Sequence, residues 1–362
     1  MPRTPKVTTA TSGTAKAMVN RDRRRFAQLI GAALLGARLS TSRAQAPAPG
    51  AWEKIVAQAK SEKTLILYSA ALGQSSHGKV AKAFEATYGI SVRILEARAS
   101  EIRERIRTEQ AAQRFVADVS HDGSTTSTLQ VADGVFEPYG ALPNLSALRA
   151  PFVATDLLVP VSAIVYSILV NTRLVNAASR PKSWMDLTDS RWKGKILADD
   201  MRALGGGGVL FAVLQDKLGA AFHEKLAQNQ LAFTRDIRAS EQRVARGEYP
   251  IWIPFSSNDI VELKGLPVEM ATPVEGCPYI AYDVALLKNA PHPNAARLFM
   301  DFFLSPKAQA ICAEEGLITA TNTAALATLS DEVKALQTIK LLGTTDPARI
   351  QEMLKLAGEI YH

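Results

Sequence analysis

The chain has 362 residues, more than one ordinary hydrophobic core needs and enough for two. Hydrophobic residues make up 47% and charged residues 21%, the balance of a water-soluble globular protein. The formal charge of +7 sits at one end: residues 1–46 hold nine Lys/Arg and one acid, Asp22, leaving 33 basic and 34 acidic residues for the rest. That remainder excludes a nucleic-acid or anionic-membrane footprint.

In chain order, residues 1–46 read as an address rather than part of a fold. Arg23-Arg24-Arg25-Phe26 fits the R-R-x-F core of a twin-arginine export signal, and the apolar stretch from Phe26 to Leu35 is short for a membrane span. Asp22 stands where Ser or Thr is usual, and Ala27-Gln28 where Leu-Lys is usual, so a general secretory signal with a long basic n-region is the alternative. Cleavage is expected after Ala44 rather than after Ala46, which would leave Pro47 at the new terminus. Either route exports the protein. No later run reaches the roughly 18 apolar residues that cross a bilayer. Cys277 and Cys312 are the two cysteines. In an oxidising compartment they allow one disulfide; as two small buried hydrophobes they need none.

The mature part alternates amphipathic helices with apolar, strand-like runs. Helices are expected over 51–61, 79–87 and 100–113, and strands over 64–69, 91–95 and 117–120. This β-α-β-α-β order predicts a parallel, right-handed doubly wound sheet. Residues 159–171, rich in β-branched side chains, look like strands crossing from one lobe to another. A helix-and-turn region follows at 183–192, then a strand at 194–199, a helix at 209–218 after Gly205–Gly208, a helix at 240–246, and strands at 251–255, 268–273 and 279–287. A helix opened by Pro293 runs to 304; Ser305-Pro306 caps and starts another that closes at Gly316, and polar-amphipathic helix continues to His362.

Ligands of doubly wound sheets bind beyond the carboxyl ends of the strands, here 69–76, 97–100 and 122–126. The candidate contacts are therefore Ser69, Ser75 and Ser76 in the first loop, Arg98 and Ser100 in the second, and Asp122, Ser124 and Thr125 in the third. From the later part come Asp199, the helix-opening Gly206 and Gly207, Trp252, Ser256, Ser257, Glu275 and Tyr279. Free N–H groups at a helix start favour negative charge, and Arg98 is suited to two-point pairing with a carboxylate or phosphoryl group. Plainer roles compete: a mobile glycine loop, a solvated Arg98, Ser and Thr as ordinary turn residues, Trp252 as core. No catalytic constellation is present. Ser75 lacks G-x-S-x-G spacing, Ser120-His121-Asp122 is contiguous rather than a folded triad, and metal-ligand spacings, P-loops and dinucleotide fingerprints are absent, so neither enzyme activity nor a cofactor is expected.

Four words in order make the chain resemble a known family. Ser183-Trp184-Met185-Asp186-Leu187 with Arg191-Trp192-Lys193-Gly194-Lys195-Ile196 resembles the "SWxDL…WKGKI" segment of family 1 bacterial solute-binding proteins, preceded by the strand ending Val170-Asn171-Thr172. Gly247-Glu248-Tyr249-Pro250-Ile251 resembles their "GEYPI" strand. The stretch from Pro273 through Glu275-Gly276, Ala285–Phe299 and Phe303-Leu304-Ser305-Pro306 is similar to the iron(III)/phosphonate-type branch. The resemblance implies an α/β, two-lobed periplasmic-binding-protein (Venus-flytrap, type II) fold with hinge crossovers. One lobe would hold 52–155 plus 275–322 and the other 160–270, with helices of 323–362 packing on both. It also implies a monomeric periplasmic subunit that captures a small-molecule ligand in the cleft and hands it to an ABC permease. The iron-binding members use adjacent tyrosines after the "GE" strand; residues 252–258 here read Trp-Ile-Pro-Phe-Ser-Ser-Asn, so no metal set is expected. A small anionic or phosphorylated organic solute is the first choice of ligand. Ferric iron is the runner-up, and a sensing subunit is a further alternative.

Overall fold

The computed structural model describes residues 50–71, 74–322 and 324–362; the expected export signal and cleavage sites fall outside the described residues. Helix α1 (Ala51–Glu62) leads into β1 (Thr64–Ser69), followed by α2 (Ser76–Tyr88), β2 (Ser91–Glu96), α3 (Ala99–Ala111), β3 (Val119–Gly123) and α4 (Ser124–Ala132). Strand β1 pairs in parallel with β2 on one side and β3 on the other, the βαβαβ arrangement expected from the alternation of apolar runs and helices. The loop expected at 122–126 is instead the end of β3 and the first turn of α4.

Next comes β4 (Val159–Asn171), buried along its whole length. It is followed by β5 (Ile196–Asp199), α5 (Gly206–Leu218), α6 (Ala220–Ala227), β6 (Ala232–Thr234), α7 (Ile237–Arg246), β7 (Ile251–Ser256) and β8 (Val268–Ala271). Then come β9 (Cys277–Leu286), α8 (Pro293–Phe303), α9 (Pro306–Glu314), β10 (Ile318–Thr319), α10 (Asp331–Gln337), β11 (Leu341–Gly343) and α11 (Ile350–Ile360). The strands run β2-β1-β3-β9-β4-β7-β5-β6, with β8 and β10 added to β4 and β11 to β9. The sheet is mixed, because β9 returns antiparallel to β3. Strand β4 pairs with β9 over its first half and with β7 and β8 over its second, so one chain segment belongs to both halves of the sheet.

Each half buries its own core. Phe84, Phe299 and Phe303 anchor the first, Phe84 meeting Phe299 edge-on at a centroid distance of 5.2 Å. Trp184, Phe211 and Phe222 anchor the second. Cys277 and Cys312 are free thiols, both fully buried in the first core, where burial pushes each up to about 12. Residues 183–192 form 3-10 turns, and Glu275 holds them by accepting hydrogen bonds from the Ser183 hydroxyl and, at 3.2 Å, the Trp184 N–H.

The tail departs from the continuous helix expected there. After α10 it forms β11, which pairs in parallel with β9, and α11 then packs on α5. His223 Nδ1 lies 2.9 Å from the Tyr361 hydroxyl, and the Arg202 guanidinium donates to the Tyr361 carbonyl (3.3 Å).

Gly316 closes α9 with φ at 75°, and a Cβ there would lie 2.8 Å from Asn258 Cα and 2.9 Å from the Ser257 carbonyl oxygen. Both the backbone conformation and the close approach require glycine. Gly316→Ala is expected to cost about 1–3 kcal/mol, read as a lower denaturation midpoint with an unchanged denaturant slope.

Candidate functional site

Where the two sheet halves meet, a cavity of about 700 Å³ opens. Its floor is the pair of crossing strands, through Tyr166 of β4 and Ile280 and Tyr282 of β9. One wall is Ala70 after β1, Ala99, Ser100 and Arg103 of α3, and Gly123, Thr125, Thr126 and Leu129 around the start of α4. The other is Leu204, Gly205, Gly206 and Val209 at the start of α5, joined by Thr345, Pro347, Ile350 and Gln351. The volume suits a small organic molecule rather than a single ion.

Four helices begin at this cavity: α3, α4, α5 and α11. None is closed by its N-cap side chain, since Arg98, Gly123, Gly205 and Arg349 make no capping bond to their helices. Helices α7, α9 and α10 differ: Asp236, Ser305 and Ser330 accept from the third helical N–H at 3.0, 3.3 and 3.4 Å. Uncapped starts present first-turn N–H groups and the positive end of the helix dipole to whatever occupies the cavity. Part of α5 is already used, because the Gly207 N–H donates to Asp199 Oδ2 (2.7 Å). Burial raises Asp199 above the usual carboxylate range despite that bond and despite Arg235 at 3.8 Å. Gly207 is packed too closely for any side chain, a Cβ there falling 2.6 Å from the Asp199 carbonyl oxygen.

Among the lining residues only Arg103 is charged, and Asp133 already pairs with it at 2.7 and 2.9 Å. The other polar groups are the hydroxyls of Ser100, Thr125, Thr126, Tyr166 and Tyr282 and the carboxamide of Gln351. Burial raises the Tyr166 phenol and pushes Tyr282 up to about 12, so both face the cavity protonated. Gln74 holds Tyr282 by donating to its hydroxyl (2.8 Å).

Of the residues singled out in the sequence, Ser100, Thr125 and Gly206 line this cavity, and Asp199 and Gly207 sit directly behind Gly206. Ser124 opens α4 beside Thr125 without lining the cavity. Ser69 is fully buried behind the floor, 3.0 Å from His121 Nδ1, and accepts from the Ala71 N–H (3.2 Å). Asp122 is buried on the other face of β3, where it accepts from the Ser120 hydroxyl (2.7 Å) and is pushed up to about 6 by burial. Ser75 and Ser76 border a separate 200 Å³ pocket, with Ser75 bonded to Glu315. Arg98 is exposed and outside the lining; the arginine facing the cavity is Arg103, further along α3.

Trp252 is fully buried among Leu169, Leu197 and Phe255. Ser256 pairs with Tyr166 across β7 and β4, and the Ser257 hydroxyl donates to the Gly316 carbonyl (2.9 Å). Glu275 is engaged with Ser183 and Trp184. Tyr279 packs edge-on to Phe152, and strand alternation puts it on the opposite face of β9 from Ile280 and Tyr282. Tyr166, Tyr282, Arg103 and Thr345 were not among the sequence candidates. The period-two alternation of β9 was the signal that separates Tyr282 from Tyr279.

Residues 127–339 match the family described as bacterial extracellular solute-binding protein. The chain belongs to that family. An uncharacterized Haemophilus influenzae protein is 31% identical to this solute-binding protein over 226 residues, 58% of this chain and 65% of that one. Among solved structures it is similar to the ferric binding protein from Campylobacter jejuni, with TM-score 0.66 and 23% identity over 82% of this chain and 98% of the other. It is also similar to the Trichodesmium protein (IdiA, FutA) in complex with iron and citrate, at 0.68 and 20% over 82% and 99%. The substrate binding protein of the ABC transporter from Agrobacterium tumefaciens gives 0.68 and 15% over 83% and 94%. These likenesses establish the fold, the α/β, two-lobed periplasmic-binding-protein architecture.

Near the floor, Glu241 of α7 and Asp259 share a hydrogen bond, with Asn258 Nδ2 donating to Asp259 Oδ1 at 2.7 Å. Burial, and for Glu241 the neighbouring Asp259 charge, raises both carboxyls. A raised folded-state value means that the fold favours the protonated pair. Its contribution is full below the ordinary Glu value of 4.5 and is lost as pH rises through the raised one. Glu241→Gln is expected to leave the Tm near about pH 5 unchanged and to raise it by a few degrees near about pH 9, flattening the pH profile.

Proposed function

We propose that this protein is the periplasmic ligand-capture subunit of an ABC importer and that its solute is a small organic anion, carboxylated or phosphorylated. The observation that carries the ligand class is the convergence of four helix starts without an N-cap side-chain bond on a cavity whose lining includes an arginine and no carboxylate, although Asp199 takes one N–H of α5 and Glu101 accepts from the Arg98 N–H ahead of α3. Oriented N–H groups stabilise an anion without burying a compensating charge. On this reading residues 52–155 plus 275–322 act as one lobe and 160–270 as the other. Ligand contacts made from both walls favour the closed arrangement, which a permease then recognises. Export by the twin-arginine route and a monomeric state belong to the same reading.

A second reading has one specific observation in its favour. Tyr166 and Tyr282 bring two phenol groups to the same cavity, and phenolate oxygens suit ferric iron; the Campylobacter structure is named a ferric binding protein and the Trichodesmium one is in complex with iron and citrate. Against it stand the raised phenols and the lack of a carboxylate in the lining.

Thr125→Asp separates the two. A carboxylate in the first turn of α4 favours the helix, so the unliganded Tm should hold or rise, while binding of an organic anion should fall more than about tenfold. The measurement is a thermal-shift and calorimetric titration of refolded protein with glycerol 3-phosphate, glucose 6-phosphate, succinate, citrate and ferric citrate. A response to ferric citrate alone, with a visible phenolate-to-iron absorption band lost in Tyr282→Phe, would sink the anionic reading in favour of iron.

A further inference from the structure

The floor of the cavity carries two phenols, and each lies beside the start of a helix. Ile280 and Tyr282 share one face of β9, and Tyr166 enters from β4 on the other side of Ile280. Tyr282 stands opposite Gly123, the residue ahead of α4, where β3 pairs with β9. Tyr166 lies against the start of α5: a Cβ at Gly206 would fall 3.3 Å from its Cε1. The bare glycine is what lets the ring come this close.

Tyr166 is the unusual one. The residue is 7% exposed, yet its hydroxyl has no hydrogen-bond partner among the described residues. The Thr345 hydroxyl is unpaired too, but protein atoms enclose it; the Tyr166 hydroxyl is not enclosed, and the cavity is the space it meets. A phenol buried this deeply ordinarily finds a partner. An acceptor on the solute would be that partner.

Tyr282 has one bond. The Gln74 carboxamide donates to its oxygen at 2.8 Å, and Gln74 is itself held by a turn in which its N–H donates to the Ala71 carbonyl (3.0 Å). A phenol oxygen that accepts from Gln74 keeps its own proton for another partner, and no described residue takes it. Burial raises both phenols, so both remain donors. A neutral donor meets an oxyanion without the desolvation that a buried cation would carry.

We propose that Tyr166 and Tyr282 bind the anionic head of the solute as neutral phenol donors, and that Gln74 is a positioning residue that leaves the Tyr282 proton pointing into the cavity. The inference rests on the anionic reading above and assigns its head-group contacts to the floor rather than to Arg103, whose guanidinium Asp133 holds.

Calorimetric titrations of the full mature protein with glycerol 3-phosphate, glucose 6-phosphate, succinate, citrate and inorganic phosphate identify the tightest binder, and that probe is then titrated into the variants. Tyr166→Phe breaks no bond in the free protein, so its unliganded Tm should hold. Its affinity should fall about tenfold or more, the size of a hydrogen bond to a charged group, and Tyr282→Phe should lose a similar factor. Gln74→Leu should lose about threefold or more, but nothing further in a Tyr282→Phe background, because it acts only through that phenol. Either tyrosine variant binding as tightly as the wild type would overturn the donor role of that phenol and leave the anionic reading standing. A Gln74→Leu loss that persists in the Tyr282→Phe background would overturn the positioning role. No binding of any probe by the wild type would defeat the anionic reading itself, and this inference with it.

Discussion

The pairing of β4 with β9 is the constraint on which the rest of the molecule depends. Both strands are long and largely buried, and β4 changes partners along its length, from β9 at 159–165 to β7 and β8 at 166–171. A strand buried on both faces is specified by a continuous apolar run rather than by alternation, and Val-Pro-Val-Ser-Ala-Ile-Val-Tyr-Ser-Ile-Leu-Val-Asn is such a run. Because one strand serves two sheet halves, the parallel units on either side are oriented by the same backbone. The ends of β1, β3 and β5, and the helices α4 and α5 that follow the last two, therefore come to one place.

On the proposed reading, that arrangement lets a cavity nearly without fixed charge still favour one sign. A buried arginine or lysine would need desolvation and a partner, whereas the one arginine of the lining, Arg103, is partly exposed and already paired with Asp133. Helix starts carry no such cost. Their N–H groups are fixed by the helices themselves and lose no side-chain freedom on binding a ligand. The glycines at the start of α5 extend the logic. Gly206 faces the cavity, Gly207 lies against the backbone of Asp199 and Asp200, and Gly208 lies against Leu354. Side chains at these positions would push α5 away from both the strand end and α11.

Much of the fold was legible because its signals are local. The first strand, 64–69, emerged at its full length, and Ser305-Pro306 opened α9 with the Ser305 hydroxyl accepting from the Ala308 N–H as a cap should. The strand-end rule brought Ser100 and Thr125 to the cavity, and the glycine run ahead of a helix brought Gly206. It also drew in Ser69 and Asp122, which stand at strand ends but point into the interior on opposite faces of the sheet. Which face a strand end presents depends on register with its neighbours, and register is a tertiary fact. Tyr166 was hidden for the same reason: within an unbroken apolar strand nothing local distinguishes the residue facing a cavity from those facing the core. Thr345 was hidden more deeply, because its place depends on β11 adding to β9 some sixty residues earlier in the chain.

The floor of the cavity also ties ligand contact to the geometry of the two halves. Tyr166 is where β4 changes partners: Val165 stands opposite Tyr279 of β9, and Tyr166 opposite Ser256 of β7. On the proposed reading, a solute touching Tyr166 and Tyr282 touches the point where β4 passes from one half of the sheet to the other. A ligand moves such an equilibrium only by its difference in affinity for the two arrangements. On the proposed reading, the protein would supply part of the closure energy itself. Leu129 on α4 and Leu204 ahead of α5 line the cavity from its two walls, and both are exposed, at 38% and 56%. Closing the walls over a solute would take both leucines out of water, at about 25 cal/mol for each Å² covered. Such closure would be favoured by apolar burial at the rim as well as by polar contacts in the middle. The solute need supply only the remainder, which is consistent with a site whose polar groups are mostly neutral hydroxyls rather than buried ion pairs.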